Sequence, residues 1–372
     1  MFEIGADAGL GPPRVLTTLA ADVSALAWTA DGRELIFRRA ANVPLPLARV
    51  RVDEGSPPVN MPWTGADAVS PAVGANGRLA FARNVRDTNI WRLTVDDPDR
   101  AGSLRQLASS SFREVHPQYS PDGTRLVFHS NRSGSIQVWI ADADGSRATQ
   151  LTSMEPFATT GSPRWSRDGL RVLFDSNATG VYQVYEISAD GGAPKALTSG
   201  VSNSFGASDA PDGRSIYFSS DRSGRQEVWR MAPGGAEPEQ VTRNGGSNPV
   251  LTADGAWIYF IKEGGSAGLW RLPAAGGGET RVLDMVYRWN FALTPTGIYF
   301  ASRPFSSASS SEPVVVQSTI RFLDQRTGTI RDVLAVDKLV DLGLSLSPDG
   351  KYLLFTKLDY TGTDLMLVEH FR

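Results

Sequence analysis

At 372 residues, 41% hydrophobic and 21% charged, the chain can bury a large core and lacks the composition of disordered, collagenous or coiled-coil proteins. Lys and Arg number 37 against 40 Asp and Glu, a net charge of -3, so no overall field gathers phosphate backbones and direct nucleic-acid binding is not expected. The absence of cysteine excludes disulfides, thiolate metal sites and cysteine nucleophiles, and it leaves the compartment open.

The chain opens on MFEIGADAGLGPP, which has neither a basic start nor an apolar core, and no stretch approaches about 18 apolar residues. Neither a signal peptide nor a membrane span is read. FEIGAD (2–7) matches YEISAD (185–190), so the start reads as the third strand of a repeat: either a surplus strand, or the mark of a longer protein of which this chain is the later portion. PRVLTTLA (13–20) reads as a fourth strand, comparable with PKALTSG (194–200).

From there one grammar recurs. The strings TADG at 29, GANG at 74, SPDG at 120, SRDG at 166, APDG at 210, TADG at 252, TPTG at 294 and SPDG at 347 end on Gly32, Gly77, Gly123, Gly169, Gly213, Gly255, Gly297 and Gly350. Their spacings are 45, 46, 46, 44, 42, 42 and 53 residues. In such a turn Pro presets φ, Asp bonds its own backbone and Gly takes positive φ, which suits a hairpin. A second strand follows with a phenylalanine in every copy: Phe37, Phe81, Phe128, Phe174, Phe218, Phe260, Phe300 and Phe355. Next come polar hairpins such as SNRSG (130–134) or SDRSG (220–224) and a third strand carrying Trp91, Trp139, Tyr185, Trp229 or Trp270. A fourth strand typified by QLTS, ALTS or QVTR closes the unit.

Four short strands per 40 to 50 residues, without helical periodicity, read as one propeller blade. A residue repeated eightfold around a ring cannot mark one site, so the phenylalanines are assigned to the core between blades. The expected fold is an all-β propeller of eight four-stranded blades forming a single domain over 1–372. The last copy stops after its third strand, DLMLVEHF, and PRVLTTLA is expected to complete that blade from the N-terminal side. RPFSSASSSEPVVVQ (303–317) stretches the last interval and reads as a long hairpin loop.

HPQYSPDGTRLVFHSNRSGSIQVWIADADGSRATQLT (116–152) resembles the WD-like propeller repeat of the TolB family, periplasmic components of the Tol system, and variants of it cover nearly the whole chain. That family has six blades and an extra N-terminal domain, and this sequence departs from it in both. RLAFARNVRDTNIWRL (78–93) and SPDGKYLLFTKLDYTGTDLMLVEHFR (347–372) resemble the propellers of CadC-like winged-helix regulators. The first resemblance implies a periplasmic binding scaffold, the second the sensor portion of a bacterial transcriptional regulator.

Chemistry is sparse. GASDA (206–210) and GLSLS (343–347) lack the second glycine of a nucleophile elbow, and the only histidines are His116, His129 and His370, on separate strands without ligand spacing. DADG (142–145) and VDDPD (95–99) lack the downstream Glu and full oxygen spacing of calcium loops, and GGG (276–278) lacks the helix and lysine of a phosphate cradle. His116 stands where other copies have Ser70, Ser162, Gly206, Asn248 and Asn290, near the expected central channel. Asp209 replaces a large apolar residue, as at Trp28, Tyr119, Trp165, Leu251 and Leu346, and such a carboxylate needs a partner or must protonate; Arg164, one blade earlier, is a candidate partner, and the alternative is a locally relaxed blade with Asp209 solvated near the channel. The expectation is a non-catalytic, monomeric module without cofactor or metal that binds a protein or small polar ligand at a channel mouth lined by His116, Arg164 and Asp209. The alternatives are a Tol-like envelope scaffold and an enzyme with a polar or metal site in the channel.

Overall fold

The computed structural model describes residues 15–17, 22–40, 46–53, 56–65, 67–95, 103–108, 110–155, 158–235, 237–302 and 317–371. Among them are strands and three single-turn 3-10 helices. The chain forms two compact units, Asp87–Asp359 and Met1–Arg86 with Tyr360–Arg372.

The repeated strings are hydrogen-bond devices. In the SPDG-type turns the hydroxyls of Ser120, Ser166 and Ser347 donate to the carboxylates two residues on, at 2.5, 2.6 and 2.6 Å. The same oxygens accept the N–H groups of Arg125, Arg171 and Tyr352 at 2.9 Å. Thr29 and Thr252 do the same work in the TADG copies. In QLTS, ALTS and QVTR, Thr152, Thr198 and Thr242 accept the backbone N–H of Val138, Val184 and Val228 and donate to Gln137, Gln183 and Glu227. Every one of these threonines is buried, so the bonds replace water that the fourth strand excludes. The basic residues of the polar hairpins lie over the repeated aromatics: Arg132 over Phe128 and Trp139, Arg222 over Phe218 and Trp229.

In the larger unit five blades follow in chain order, each with its first strand innermost. Blade 1 begins at Glu114–Tyr119, blade 2 at Thr160–Trp165, blade 3 at Ser204–Asp209, blade 4 at Ser247–Leu251 and blade 5 at Phe291–Leu293. The closing blade begins at Val340–Leu346, which pairs with the first half of Tyr352–Val368. Its other two strands are the second half of Arg78–Thr94 and Leu104–Ala108.

Six apolar clusters, one per interface, complete this ring. Val127 and Val138 of blade 1 pack with Trp165 and Phe174 of blade 2, Leu173 and Val184 with Ala207 and Phe218, and Tyr217 and Val228 with Ile258 and Phe260. Tyr259 and Leu269 of blade 4 meet Phe291 and Phe300, and Tyr299 and Ile320 of blade 5 meet Val340 and Phe355. Leu354 and Ile90 of the closing blade return to Leu126 and Phe128 of blade 1. Gly145, with φ 87°, lies so close to the Leu107 backbone that any Cβ would strike it, which is why the DADG string ends in glycine.

The ring therefore has six blades, and the expectation of eight is corrected. The eight hairpins exist, but those at Gly32 and Gly77 lie in the smaller unit. The closing blade takes two strands from each side of the chain; the expected three-plus-one arrangement with PRVLTTLA is corrected as well. FEIGAD, PRVLTTLA apart from residues 15–17, VDDPD apart from Val95, and residues 303–316 lie outside the described residues.

The smaller unit holds a four-stranded sheet, Asp22–Trp28, Glu34–Ala40, Ala48–Arg51 and Val59–Asn60. Ile36 from that sheet and Leu47 and Met61 next to its third and fourth strands pack with Ala68, Leu79 and Phe81, and Met366, Val368 and Phe371 lie against the same cluster. The ion pairs Arg83–Asp364 (3.0 Å) and Arg78–Glu369 (3.2 Å) join the two long strands here.

Ring closure rests on Asp359. Its Oδ2 accepts the Asn89 amide at 2.9 Å, the Trp91 indole N–H at 3.0 Å and the Gln106 amide at 3.5 Å, while Lys357 lies 3.1 Å from Oδ1. One carboxylate thus ties three strands of the closing blade. Asp359→Ala should cost about 2 to 3 kcal/mol in urea unfolding, the range for hydrogen bonds to a charged acceptor; a loss below about 0.5 kcal/mol would show that closure does not depend on it. Phe128→Ala and Phe218→Ala, each removing a fully buried ring, should cost roughly 3 to 5 kcal/mol by the same measurement.

Candidate binding site in the central channel

Five of the six inner strands of the ring are bent by an irregularity in their pairing, between Val115 and Gln118 in blade 1, Gly161 and Arg164 in blade 2, Phe205 and Ser208 in blade 3, Ser247 and Val250 in blade 4, and Val340 and Leu344 in the closing blade, while the short inner strand of blade 5 pairs regularly. At each bend one residue takes positive φ: His116 (54°), Ser162 (47°), Gly206 (63°), Asn248 (52°) and Gly343 (110°), with Trp289 (64°) just before the inner strand of blade 5. Left-handed backbone is unfavourable for residues other than glycine, and such bulges bend a strand and increase its twist. Because the device recurs around the ring, it belongs to the architecture. Only the side chain it presents varies. Gly343 has no choice: a Cβ there would lie 2.6 Å from Cα of His116.

All of these positive-φ residues except Gly206 line a cavity of about 380 Å³ that is bounded by all six inner strands and reaches the SPDG-type turns. His116, Arg164 and Asp209 all line it, as expected from sequence. Its wall is divided. The charged groups and most polar ones, among them His116, Gln118, Arg164 and Asp209, come from blades 1 to 3, which also present Pro117, Tyr119, Pro163 and Trp165; blades 4 and 5 and the closing blade contribute mainly Val250, Leu251, Trp289, Phe291, Leu344 and Leu346, with Asn248 and Ser345.

Asp209 does not pair with the candidate partner Arg164. Oδ2 of Asp209 accepts the backbone N–H of Arg167 at 3.3 Å, and its nearest cation is Arg171 at 3.8 Å, which also holds Glu186 (2.9 Å) and Asp168 (3.7 Å). Oδ1 has no partner among the described residues. Burial raises the Asp209 carboxyl above its ordinary range, and the Arg167 amide and Arg171 partly counter it. Arg164 instead faces Asp175 of its own blade, the main charge that offsets its burial, while burial lowers the guanidinium to about 10.

Asp175 is a part of the site that sequence did not single out for function. It is 5% exposed and accepts the Gly206 N–H at 3.2 Å, and burial raises its carboxyl to about 6 against the opposing effects of Gly206, Ser162 and Arg164. Its position after the core phenylalanine holds His129 in blade 1 and Ser219 in blade 3, and Ser219 caps the Asn248 N–H in the same way at 2.8 Å. His116 and His129 meet edge to face, ring centroids 5.1 Å apart. Burial and then Arg113 and Arg164 lower His116 to about 3, so it is neutral at physiological pH. Arg113 pairs with the buried Asp341 at 3.3 Å. Asn290, expected from sequence beside His116 at the channel, is instead fully buried: its amide donates to the Asp341 carbonyl at 2.6 Å and its oxygen accepts the Gly343 N–H at 2.6 Å. Trp289 takes the channel position. Among the described residues no three His, Asp or Glu side chains are grouped to hold a metal ion, and no helix is long and apolar enough to cross a membrane.

A carboxyl whose folded-state value is raised to about 6 from 3.8 favours the folded protein when protonated, and that contribution disappears as pH rises through 6. Measured against Asp175→Asn, the wild type should lose up to about 3 kcal/mol of stability between roughly pH 4 and pH 7. Urea unfolding of both proteins across that range checks this; a constant difference would show that Asp175 titrates normally.

Residues 154–284 match the family model of the TolB beta propeller domain (PD40). The chain is 35% identical over 97 residues to the Tol-Pal system protein TolB of Hahella chejuensis (strain KCTC 2396), covering 24% of this chain and 22% of that protein. It is 33% identical over 64 residues to the uncharacterized protein Atu1656 of Agrobacterium fabrum (strain C58 / ATCC 33970), covering 17% and 20%. The chain thus spans about a fifth of the length of these curated relatives. Among solved structures it is similar to the putative TolB from Agrobacterium tumefaciens, with a TM-score of 0.59 at 19% identity over 73% of this chain and 98% of that one. TolB from Acinetobacter baumannii gives 0.52 at 16% identity over 74% and 65%. The fold is the propeller fold of these proteins, and the stretch 154–284 carries the sequence pattern of the TolB-type propeller.

Proposed function

We propose that this chain is a non-catalytic binding module whose working surface is the central channel and its mouth, offered to a protein partner or a small ligand. The observation that carries the reading is the convergence of six inner strands on one cavity, where the side chains that depart from the repeat, His116, Arg164, Asp209 and Trp289, meet in space though they are distant in sequence. Pockets that orient ligands combine apolar walls with a few placed polar groups, and this channel has both. The likeness to a protein named as part of the Tol-Pal system supports a protein partner. The segments resembling winged-helix regulators, 78–93 and 347–372, include the two long strands that form the closing blade; ring closure accounts for their regularity, and the sensor reading would use the same channel.

Binding of a metabolite and peptide library to the wild type and to His116→Ala, Arg164→Ala and Asp209→Ala tests the proposal, with melting temperature as the control for folding. A ligand found in this way should lose tenfold or more in affinity in at least one variant. If its affinity ignores all three, the channel is not the site and the surface loops become the candidates.

A further inference from the structure

The Arg164 guanidinium is a partly buried channel cation whose donors are left without a partner. It has no hydrogen bond or ion pair among the described residues, and none of its nitrogens is sealed from the cavity it lines. Arg113 is committed to Asp341, and Arg171 to Glu186, Asp168 and Asp209; Arg167 also lines the cavity without a side-chain partner among the described residues, but it is exposed to solvent, whereas Arg164 is partly buried. A guanidinium presents a planar fork of donors that matches a carboxylate in two parallel bonds, and such pairs strengthen when water is excluded. Across the cavity's lining the chemistry changes sign: Trp289, Phe291 and Leu344, on blades 5 and 6, offer an apolar surface. Asn248 and His116 add buried nitrogens, Nδ2 and Nδ1, that have no partner among the described residues.

We infer that the channel binds a carboxylate carried on an apolar stem, with the carboxylate on Arg164 and the stem against Trp289, Phe291 and Leu344. This rests on the channel being the binding site, and it narrows the ligand to one chemical class. Free aryl- or alkyl-carboxylates have this chemistry, and so does the C-terminal carboxylate of a peptide ending in an apolar residue. A simple inorganic anion would leave the apolar wall unused. A cation would meet Arg164 head on.

The test is calorimetric titration of the full chain with 3-phenylpropanoate, its uncharged analogue 3-phenylpropan-1-ol, and an acetylated tripeptide ending in phenylalanine, as the free acid and as the amide. At least one of the two acids should bind, tenfold or more tighter than its neutral counterpart; which acid binds identifies the source of the carboxylate. Arg164→Met should abolish that preference, Arg164→Lys should retain part of it, and Trp289→Ala should weaken acid and neutral probe together. Melting temperatures confirm that each variant is folded. Equal binding of acid and neutral probe by the wild type, an acid preference that survives in Arg164→Met, or no binding of either acid at millimolar concentration would each overturn the inference. The last result, combined with a library ligand that depends on His116 or Asp209, would remove the carboxylate assignment and leave the channel reading standing.

Discussion

A propeller exists only if its last sheet finds its missing strands, because an open blade leaves a row of unpaired backbone donors and acceptors and an uncovered apolar face. Here that condition is met by strands about 270 residues apart: Tyr352–Asp359 lies beside Asp87–Thr94, with Val340–Leu346 and Leu104–Ala108 on either flank. The Val95 N–H donates to the Lys351 carbonyl at 2.8 Å, and Lys357 lies over the Trp91 ring at 4.1 Å. With this sheet in place each of six interfaces has a packed apolar cluster, and the inner strands enclose a channel instead of a groove. The binding surface is a consequence of closure.

The same condition explains what could be read from the sequence. The blade grammar was legible because it is local: a serine or threonine, an aspartate and a glycine within five residues fix one turn, and a threonine and a glutamine or glutamate about 15 residues apart fix the outer pairing. Such contacts repeat wherever the string repeats. The blade count was not legible, since counting turns counts hairpins and says nothing about which hairpins share a ring. Two strands of 17 residues, Arg78–Thr94 and Tyr352–Val368, each belong half to the ring and half to the smaller unit. No turn residue marks Arg86 or Asp359 as the point of division.

At the site, position was legible and partnership was not. Alignment of the repeats placed His116, Arg164 and Asp209 on inner strands, and all three line the cavity. The pairing of Arg164 with Asp209 failed because strand geometry sends Asp209 toward the turn of the preceding blade, where Arg167 and Arg171 already stand. Blade 5 shows a related limit. A one-turn 3-10 helix at Tyr287–Trp289 precedes its short inner strand, so the left-handed position falls on Trp289 and the expected Asn290 turns inward to tie Asp341 and Gly343.

Repetition also separates architecture from function in this molecule. Positive φ at a non-glycine residue would by itself suggest a strained working site, yet it recurs around the ring and accompanies the bend of five of the six inner strands. Buried polar groups obey the same logic when they recur, as with the carboxylate of Asp175 and the hydroxyl of Ser219, each capping the bulge of the next blade. What remains after the recurring devices are set aside is the asymmetry of the channel: all its charged groups, the unpaired Arg164 guanidinium included, stand on blades 1 to 3, and the other three blades are mainly apolar. A sixfold scaffold has no internal reason to be polar on one side and apolar on the other. That difference is the feature of the ring that a ligand with two unlike ends would account for.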